Sequence, residues 1–441
     1  MRNIKNCFWC NSTDLKPFTT RIDDKPVSEC QKCKLLLVTE LPDDLSEFYT
    51  DDAYFNPEVD GDTGYHENYN LISPLYLYWQ GSLINEVSTL NKAKSLLEVG
   101  CATGNALEAI HEQNETLQLT GIDLAPLGIN YTRAKGFVAE VSTINDYAKK
   151  KQKHDIIFTS ETMEHVDDLR DFVESAASVL NSDGIYTFYV PAVIKSVMKK
   201  EGAHYPSLTT SLEHVSYFTT EFMSAAMKEV FGHAAVIQLS HGGEDYLMGF
   251  ASKNASYIRK LEQFINALKT FDKAIKDPGS LVNLVIMDAK FSLFDQAQKY
   301  LAKLQTVEKA GSQQLLAGAI IAGHLGELER AKKLYQELLV REPAAKPVVY
   351  KLIYDNERSL NEAYLAKTEE LAQAHQDLGS QYYNVKHELE ELKNSKLVGN
   401  TLKVRKAVGL VLNTAKNQKK NWAPGYAATY LGCYRNRLGI G

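Results

Sequence analysis

An apolar strand that opens into a turn of small residues and then into a helix constrains this chain more than any other feature. The run is Leu96-Leu97-Glu98-Val99-Gly100-Cys101-Ala102-Thr103-Gly104-Asn105. A second apolar run, Thr120-Gly121-Ile122-Asp123, ends on a carboxylate 23 positions after Gly100. This order predicts a parallel α/β unit with a nucleotide-type cofactor site. Glycine and alanine let the backbone approach a ligand, the helix N-terminus offers free N–H groups, and an acid closing the second strand can accept hydrogen bonds from ribose hydroxyls. A dinucleotide fingerprint needs glycine at its first, third and sixth positions. Here they hold Gly100, Ala102 and Asn105, which disfavours NAD. The loop alone would also suit a glycine turn in some other α/β domain.

Downstream residues narrow the choice. His154 to Ser160 reads as a fourth strand, with Glu161-Thr162-Met163-Glu164-His165-Val166 at its C-terminal end. A helix ending near Leu180, the turn Asn181-Ser182-Asp183-Gly184 and a strand from Ile185 to Val190 follow. Small residues at Gly100, Ala102 and Gly104, with Glu98 upstream, resemble the first motif of class I S-adenosylmethionine (SAM)-dependent methyltransferases. The His154–Val166 stretch resembles that family's "fD-x-I…l-E-H-v" segment. The resemblance implies a doubly wound, Rossmann-like domain. It assigns cofactor contacts to Glu98, Gly100, Ala102, Gly104, Asp123, Leu124 and Glu161.

Cysteine spacing points to a second feature. Cys7-x2-Cys10 and Cys30-x2-Cys33 are two knuckle-like pairs 19 residues apart, a spacing suited to four thiolates around a tetrahedral zinc ion. Four protein ligands leave no open position, so the zinc is expected to be structural and to supply folding energy for a small ribbon. Two disulfides are the alternative, which a reducing compartment disfavours. Cys101 reads as a small spacer in the glycine loop and Cys433 stands alone in the tail. The stretch after the second pair, Lys34-Leu35-Leu36-Leu37-Val38, then Pro42, Glu47, Tyr49 and Tyr54-Phe55, is similar to bacterial methyltransferases with an N-terminal zinc ribbon. These resemble sugar and surface-polysaccharide methyltransferases, and the resemblance covers about residues 5–250. A nucleic-acid role for the ribbon is disfavoured because residues 1–60 carry no basic surplus.

Methyl transfer to a sugar hydroxyl needs a base, and two histidines qualify. His165 follows the fourth strand. His214, in Leu212-Glu213-His214-Val215-Ser216-Tyr217-Phe218-Thr219, resembles the "e-H-l-x-x-F-t" stretch of related sugar methyltransferases. Each could equally be a structural hydrogen bonder. Tyr189 is a candidate pocket residue and His204 a weaker candidate base.

Beyond Phe250 the chain turns helical. Ala331, Leu338 and Leu328 fall 34 positions after Ala297, Leu304 and Phe294, the period of a tetratricopeptide (TPR) repeat, with plain helical hairpins as the alternative. Tyr364, Leu371, Leu378, Val385 and Leu392 recur every seven residues, which suggests a coiled coil and a homo-oligomer through residues 358–395. A net charge of −6 hides a basic end: from Leu392 to Gly441 there are ten Lys or Arg and no Asp or Glu. This tail reads as an amphipathic anchor for an anionic membrane surface or for glycan-assembly proteins, with nucleic acid as the competing partner.

The expected organisation is a zinc ribbon (1–45), a connecting helical segment (46–90), a SAM-dependent methyltransferase domain (91–252) and TPR-like helices (253–350). A long helix or coiled coil (351–395) and the basic tail (396–441) complete it. With neither a signal peptide at Met1–Cys7 nor about 18 consecutive apolar residues, the chain is expected in the cytoplasm, peripherally on its membrane face. The expected function is methyl transfer from SAM to a carbohydrate, a nucleotide-sugar or surface glycan. An RNA or protein methyltransferase, or a non-catalytic scaffold, is the alternative.

Overall fold

The computed structural model describes residues 1–45, 74–209, 211–241, 244–291, 293–306, 311–325 and 327–341. The expectations for Tyr54-Phe55, for residues 351–395 and for the basic tail lie outside the described residues, as does part of the 46–90 segment.

The first cysteine pair lies in the turn region before residue 15, and the second begins at the last residue of a strand and ends in the turn after it. Strands β1 (Arg2–Asn3) and β5 (Glu40–Leu41) pair with each other, while β2 (Leu15–Thr20), β3 (Pro26–Cys30) and β4 (Leu36–Val38) form an antiparallel meander. A meander this small buries little by itself, and it is completed from outside. Strand β11 (Ser216–Tyr217), 178 positions after Val38, pairs antiparallel with β4, Ser216 opposite Leu37 and Tyr217 opposite Leu36.

The main sheet contains β6 (Ser95–Val99), β7 (Gln118–Asp123), β8 (Val138–Val141), β9 (His154–Ser160), β10 (Leu180–Pro191), β12 (His233–His241) and β13 (Glu244–Ser252). Its order is β12-β13-β10-β9-β6-β7-β8. Strands β6 to β10 are parallel, and β13 enters antiparallel between β10 and β12. The all-parallel dinucleotide sheet has no such reversed strand. Parallel strands covered on both faces must be apolar throughout, and β6 and β9 bury Leu96, Leu97, Ile156, Ile157 and Phe158 completely. The crossover helices Asn105–Gln113, Pro126–Ala134, Ile144–Ala148 and Leu169–Ser178 cover them. Thr143 starts the third by accepting from the Asp146 N–H.

One local expectation changes. Asn181 to Gly184 is not a turn ahead of the strand but an irregularity within it: Leu180 already pairs with His154, and regular register resumes at Ile185 opposite Ile156. Asn181 donates to Asp155 Oδ1 at 2.7 Å, and the Gly184 carbonyl accepts from Ser252 Oγ at 2.8 Å, which anchors both ends of the bulge.

Among the described residues, five helices follow the sheet: Ala255–Ala267, Pro278–Lys290, Phe294–Leu304, Gly311–His324 and Leu328–Arg341. The third and fifth start 34 positions apart, and Ala297, Ala331, Leu304 and Leu338 are all buried. Helix Pro278–Lys290 is buried on all sides from Leu281 onward, as an apolar helix must be. It packs along helix Pro74–Asn91, where Glu86 accepts from Ser280 Oγ at 2.9 Å and Asn283 Nδ2 at 3.1 Å. Trp79 links the layers, its ring 4.7 Å from Tyr189 and 5.6 Å from Phe291. The sheet and these helices therefore share one core. Among the described residues, no helix is long and apolar enough to cross a membrane.

Trp79→Ala is expected to lower stability by about 3–5 kcal/mol through the cavity it leaves between sheet and helices. The urea-denaturation midpoint followed by circular dichroism measures it. An unchanged midpoint would refute the shared core.

Candidate active site

The loop after β6 folds tightly because its residues are small. Gly100 has φ +80°, and a Cβ there would run into the Thr162 hydroxyl. Its N–H and that of Cys101 both donate to the Ile122 carbonyl, at 2.9 and 3.1 Å. Asp123, closing β7, accepts from the Ala102 N–H at 2.8 Å and the Ala125 N–H at 2.9 Å, one on each oxygen. Its carboxylate therefore holds the glycine loop against the next strand, and each oxygen keeps a lone pair. Burial raises its pKa, opposed by these N–H groups. Gly104, also with positive φ, starts the helix and packs on Thr132 without lining the cleft. Cys101 is buried, with a thiol pKa pushed up by that burial, which fits a spacer and not a nucleophile.

Glu98 is 3% exposed, and its Oε2 has no hydrogen-bond partner among the described residues. Burial, with Asp123's charge adding, raises its pKa to about 8. Gln80 Oε1 is likewise unpartnered, and the two residues line a small void beside the glycine loop.

The main cleft encloses about 380 Å³ at the C-terminal ends of β6, β7 and β9. Gly100, Ala102, Asp123, Leu124, Glu161 and His165 all line it, together with the ribbon's Arg2, Asp43, Asp44 and Leu45. Six carboxylates (Asp43, Asp44, Asp123, Glu161, Asp167 and Asp168) face it against one guanidinium, Arg2, which is itself bonded to Asp167. Such a lining suits a cationic ligand and repels a pyrophosphate.

The segment after β9 carries the acids and imidazoles. Glu161 takes φ +51° and donates its N–H to the Tyr189 carbonyl at 2.8 Å. Its side chain opens onto the cleft; surrounding protein raises its pKa and Lys290 opposes the rise. Lys290 is 6% exposed and shifted down to about 8 by burial. The turn Met163–His165 then places Glu164, 1% exposed, beneath His165. Glu164 Oε1 lies 3.9 Å from His165 Nε2 and 4.0 Å from His214 Nε2. The two imidazole centroids are 4.8 Å apart, edge to face. The structure thus brings both histidines together, and burial lowers the pKa of each, to about 4 for His165. His204 is exposed in a separate turn, and Tyr189 is buried against Trp79 and Tyr246.

His214 is held by the ribbon. Arg21, whose side chain is 1% exposed, donates from Nη1 to the His214 carbonyl at 3.0 Å and from Nε to Asp23 at 2.9 Å. The Val38 N–H donates to the Val215 carbonyl at 2.9 Å, and the Val215 N–H donates to the Glu164 carbonyl at 2.8 Å. The ribbon, β11 and the histidine turn are therefore linked in one chain of hydrogen bonds.

The four ribbon cysteines converge. Cys7 Sγ is 3.4 Å from Cys33 Sγ, Cys10 Sγ is 3.5 Å from Cys30 Sγ, and all four sulfurs lie within 4.8 Å of one another. Sulfurs around a zinc at about 2.3 Å stand at comparable separations, so the donor set fits that ion. The hydrogen bond from Cys33 lowers the Cys7 thiol to about 5, while Cys33 moves up.

With this geometry in hand, comparison with known proteins identifies the class of domain. Residues 75–231 match a family model described as a methyltransferase domain. The chain is 25% identical over 126 residues to a malonyl-[acyl-carrier protein] O-methyltransferase of Acetivibrio thermocellus, covering 28% of this chain and 44% of that protein. It is 32% identical over 106 residues to a ubiquinone biosynthesis O-methyltransferase of Histophilus somni, covering 22% of this chain and 44% of that protein. The chain thus spans less than half the length of these curated relatives. Among solved structures, a plantazolicin methyltransferase in complex with SAH aligns at 13% identity and a TM-score of 0.33, over 42% of this chain and 86% of that one.

Sequence reasoning missed Arg21, Glu164, Lys290 and the cleft-lining ribbon residues. Glu164 stands inside the motif already singled out, but only packing reveals its burial. No local signal marks the other residues.

Arg21→Met leaves the His214 carbonyl without this donor, while Asp23 keeps Lys25 at 3.6 Å, and is expected to cost about 1–3 kcal/mol. Thermal unfolding followed by fluorescence checks it; an unaltered transition would show that the guanidinium does not hold the His214 turn.

Proposed function

We propose that the chain is a SAM-dependent methyltransferase acting on a hydroxyl of a carbohydrate, with SAM in the main cleft. The observation that carries this reading is the cleft's acidic lining around a glycine loop clamped by Asp123. SAM carries a sulfonium and an ammonium group, and the unpartnered Glu98 Oε2 and Gln80 Oε1 beside the loop fit the latter. Asp123, with a lone pair left on each oxygen, would take the ribose hydroxyls, and Leu124 would pack on the base. When bound, SAM supplies an electrophilic methyl group. The chain's own task is then to align the acceptor and exclude water, since in-line displacement gains most from positioning. His165 and His214, kept neutral by burial, stand at the acceptor side, and either can receive the hydroxyl proton in the metal-free protein.

Support for oxygen as the acceptor atom comes from the O-methyltransferase relatives. Support for carbohydrate comes from the ribbon-plus-methyltransferase layout of residues 5–250. Of the two carbohydrate classes, the acid-lined cleft favours a glycan hydroxyl distant from phosphate over a nucleotide-sugar diphosphate, and it disfavours RNA for the same reason. The four cysteines would hold structural zinc. In this reading residues 358–395 pair two chains, and the basic tail brings them to an anionic membrane surface on the cytoplasmic side.

Isothermal titration with SAM is expected to show saturable binding at one site, weakened at least tenfold in Asp123→Ala. No binding, or unchanged binding in the variant, would overturn the cofactor assignment. Transfer of a labelled methyl group into cell-surface glycan, and not into RNA or protein, tests the acceptor. Treating the native chain with an organomercurial is expected to release one zinc, detected with a chromogenic chelator, and Cys30→Ser should lack that zinc. A chain that releases none contradicts the zinc assignment.

A further inference from the structure

We infer that Glu164, His165 and His214 form a second metal site, taking a divalent first-row transition ion through two imidazoles and one carboxylate at the acceptor side of the cleft. The binding does not depend on the methyl-transfer reading; only its use in catalysis does.

Glu164 is 1% exposed, and neither carboxylate oxygen has a hydrogen-bond partner among the described residues. A buried carboxylate without donors is costly and calls for an explanation, such as an ion at the site. The two imidazole Nε2 atoms lie 3.9 and 4.0 Å from the same oxygen. Those separations are too long for hydrogen bonds, which fall at about 2.7–3.2 Å. A tetrahedral cation with bonds of about 2.0–2.2 Å holds its ligands about 3.3–3.6 Å apart, so a closure of a few tenths of an ångström brings these donors onto one ion. The three donor atoms lie within 4.8 Å of one another. Two histidines and a carboxylate leave coordination positions open, and of the three residues His165 lines the cleft, which gives a ligand a route to the ion.

The donor set also selects the ion. Imidazole nitrogen suits iron, nickel, copper or zinc better than magnesium or calcium, which prefer oxygen, and the carboxylate extends the set to manganese and cobalt. The site differs from the four cysteines in being open and free of sulfur. A cation there would bind the acceptor hydroxyl oxygen and lower its pKa, the proton passing to water in the cleft. The alkoxide oxygen would then form the new C–O bond as the S–CH3 bond of the sulfonium breaks. In this loaded state both imidazoles are ligands and neither takes the proton.

Mn2+ tests the site, because it competes poorly for thiolates and leaves the cysteine cluster undisturbed. Titrating the full-length protein, without SAM, by electron paramagnetic resonance is expected to show one bound Mn2+ per chain. Glu164→Gln, His165→Gln and His214→Gln should each weaken it at least tenfold while circular dichroism stays native. Cobalt added to the zinc-loaded wild type should give weak ligand-field bands without thiolate charge transfer, a readout that needs no variant to fold. Absence of saturable Mn2+ and cobalt binding in the wild type, or binding equal in all three variants, overturns the proposal and leaves a water or a proton at Glu164. Because SAM titration into Asp123→Ala is a separate measurement, failure of the metal site and failure of the methyl-donor reading are distinguishable.

Discussion

One carboxylate organises the glycine-loop side of the cleft. Asp123 accepts hydrogen bonds from the N–H groups of Ala102 and Ala125, which belong to different βα turns. Charge-assisted bonds of this kind are roughly twice as strong as neutral ones. They hold the loop after β6 and the loop after β7 at fixed separation, and the cleft opens beside them, bounded also by the segment after β9 and by the ribbon. The same arrangement places Asp123 near Glu98, whose pKa burial and this neighbour push to about 8. Two acids in one apolar setting oppose each other's ionisation. A cationic ligand relieves that opposition, so the clamp that shapes the cleft also sets the charge it prefers.

The second dependence runs through the ribbon. A four-cysteine module is easily taken for an appendage, yet its sheet is incomplete without β11, and β11 follows directly on His214. Arg21 adds a buried guanidinium that grips the His214 carbonyl. Disturbing the ribbon fold would thus reach the histidine turn through the backbone. The ribbon's outer end reaches the same cleft from another side, through Arg2 and Asp43 to Leu45.

How much of this the sequence disclosed follows from what is local. Strands β6, β7 and β9 were legible because a doubly covered parallel strand needs an unbroken apolar run, and Asp123 because its place after Gly100 is a matter of spacing. The cysteine pairs were legible for the same reason. Asn181 to Gly184 has turn composition, and composition cannot reveal that Leu180 is already paired with His154. Strand β11 has two residues, too few for any periodicity, and its partner lies far back in the chain. Glu164 and Lys290 are charged residues that composition would place at the surface; tertiary packing buries both.

That burial changes the groups around the cleft. It is lined by carboxylates, with Arg2 already engaged by Asp167. His165, paired with His214, lines it too, and Lys290 is delivered beside Glu161 by a helix beyond the sheet. A sulfonium is stabilised where negative charge collects, and an acceptor oxygen losing its proton is stabilised where bases or cations collect. Methyl transfer moves positive charge off the donor as negative charge leaves the acceptor. In the proposed reaction the cleft's carboxylates would favour the sulfonium and its imidazole the acceptor's proton loss. The helical region therefore belongs to the electrostatics of the site as well as to its core, because the residue before Phe291, which packs on Trp79, is the lysine that opposes Glu161's neutralisation.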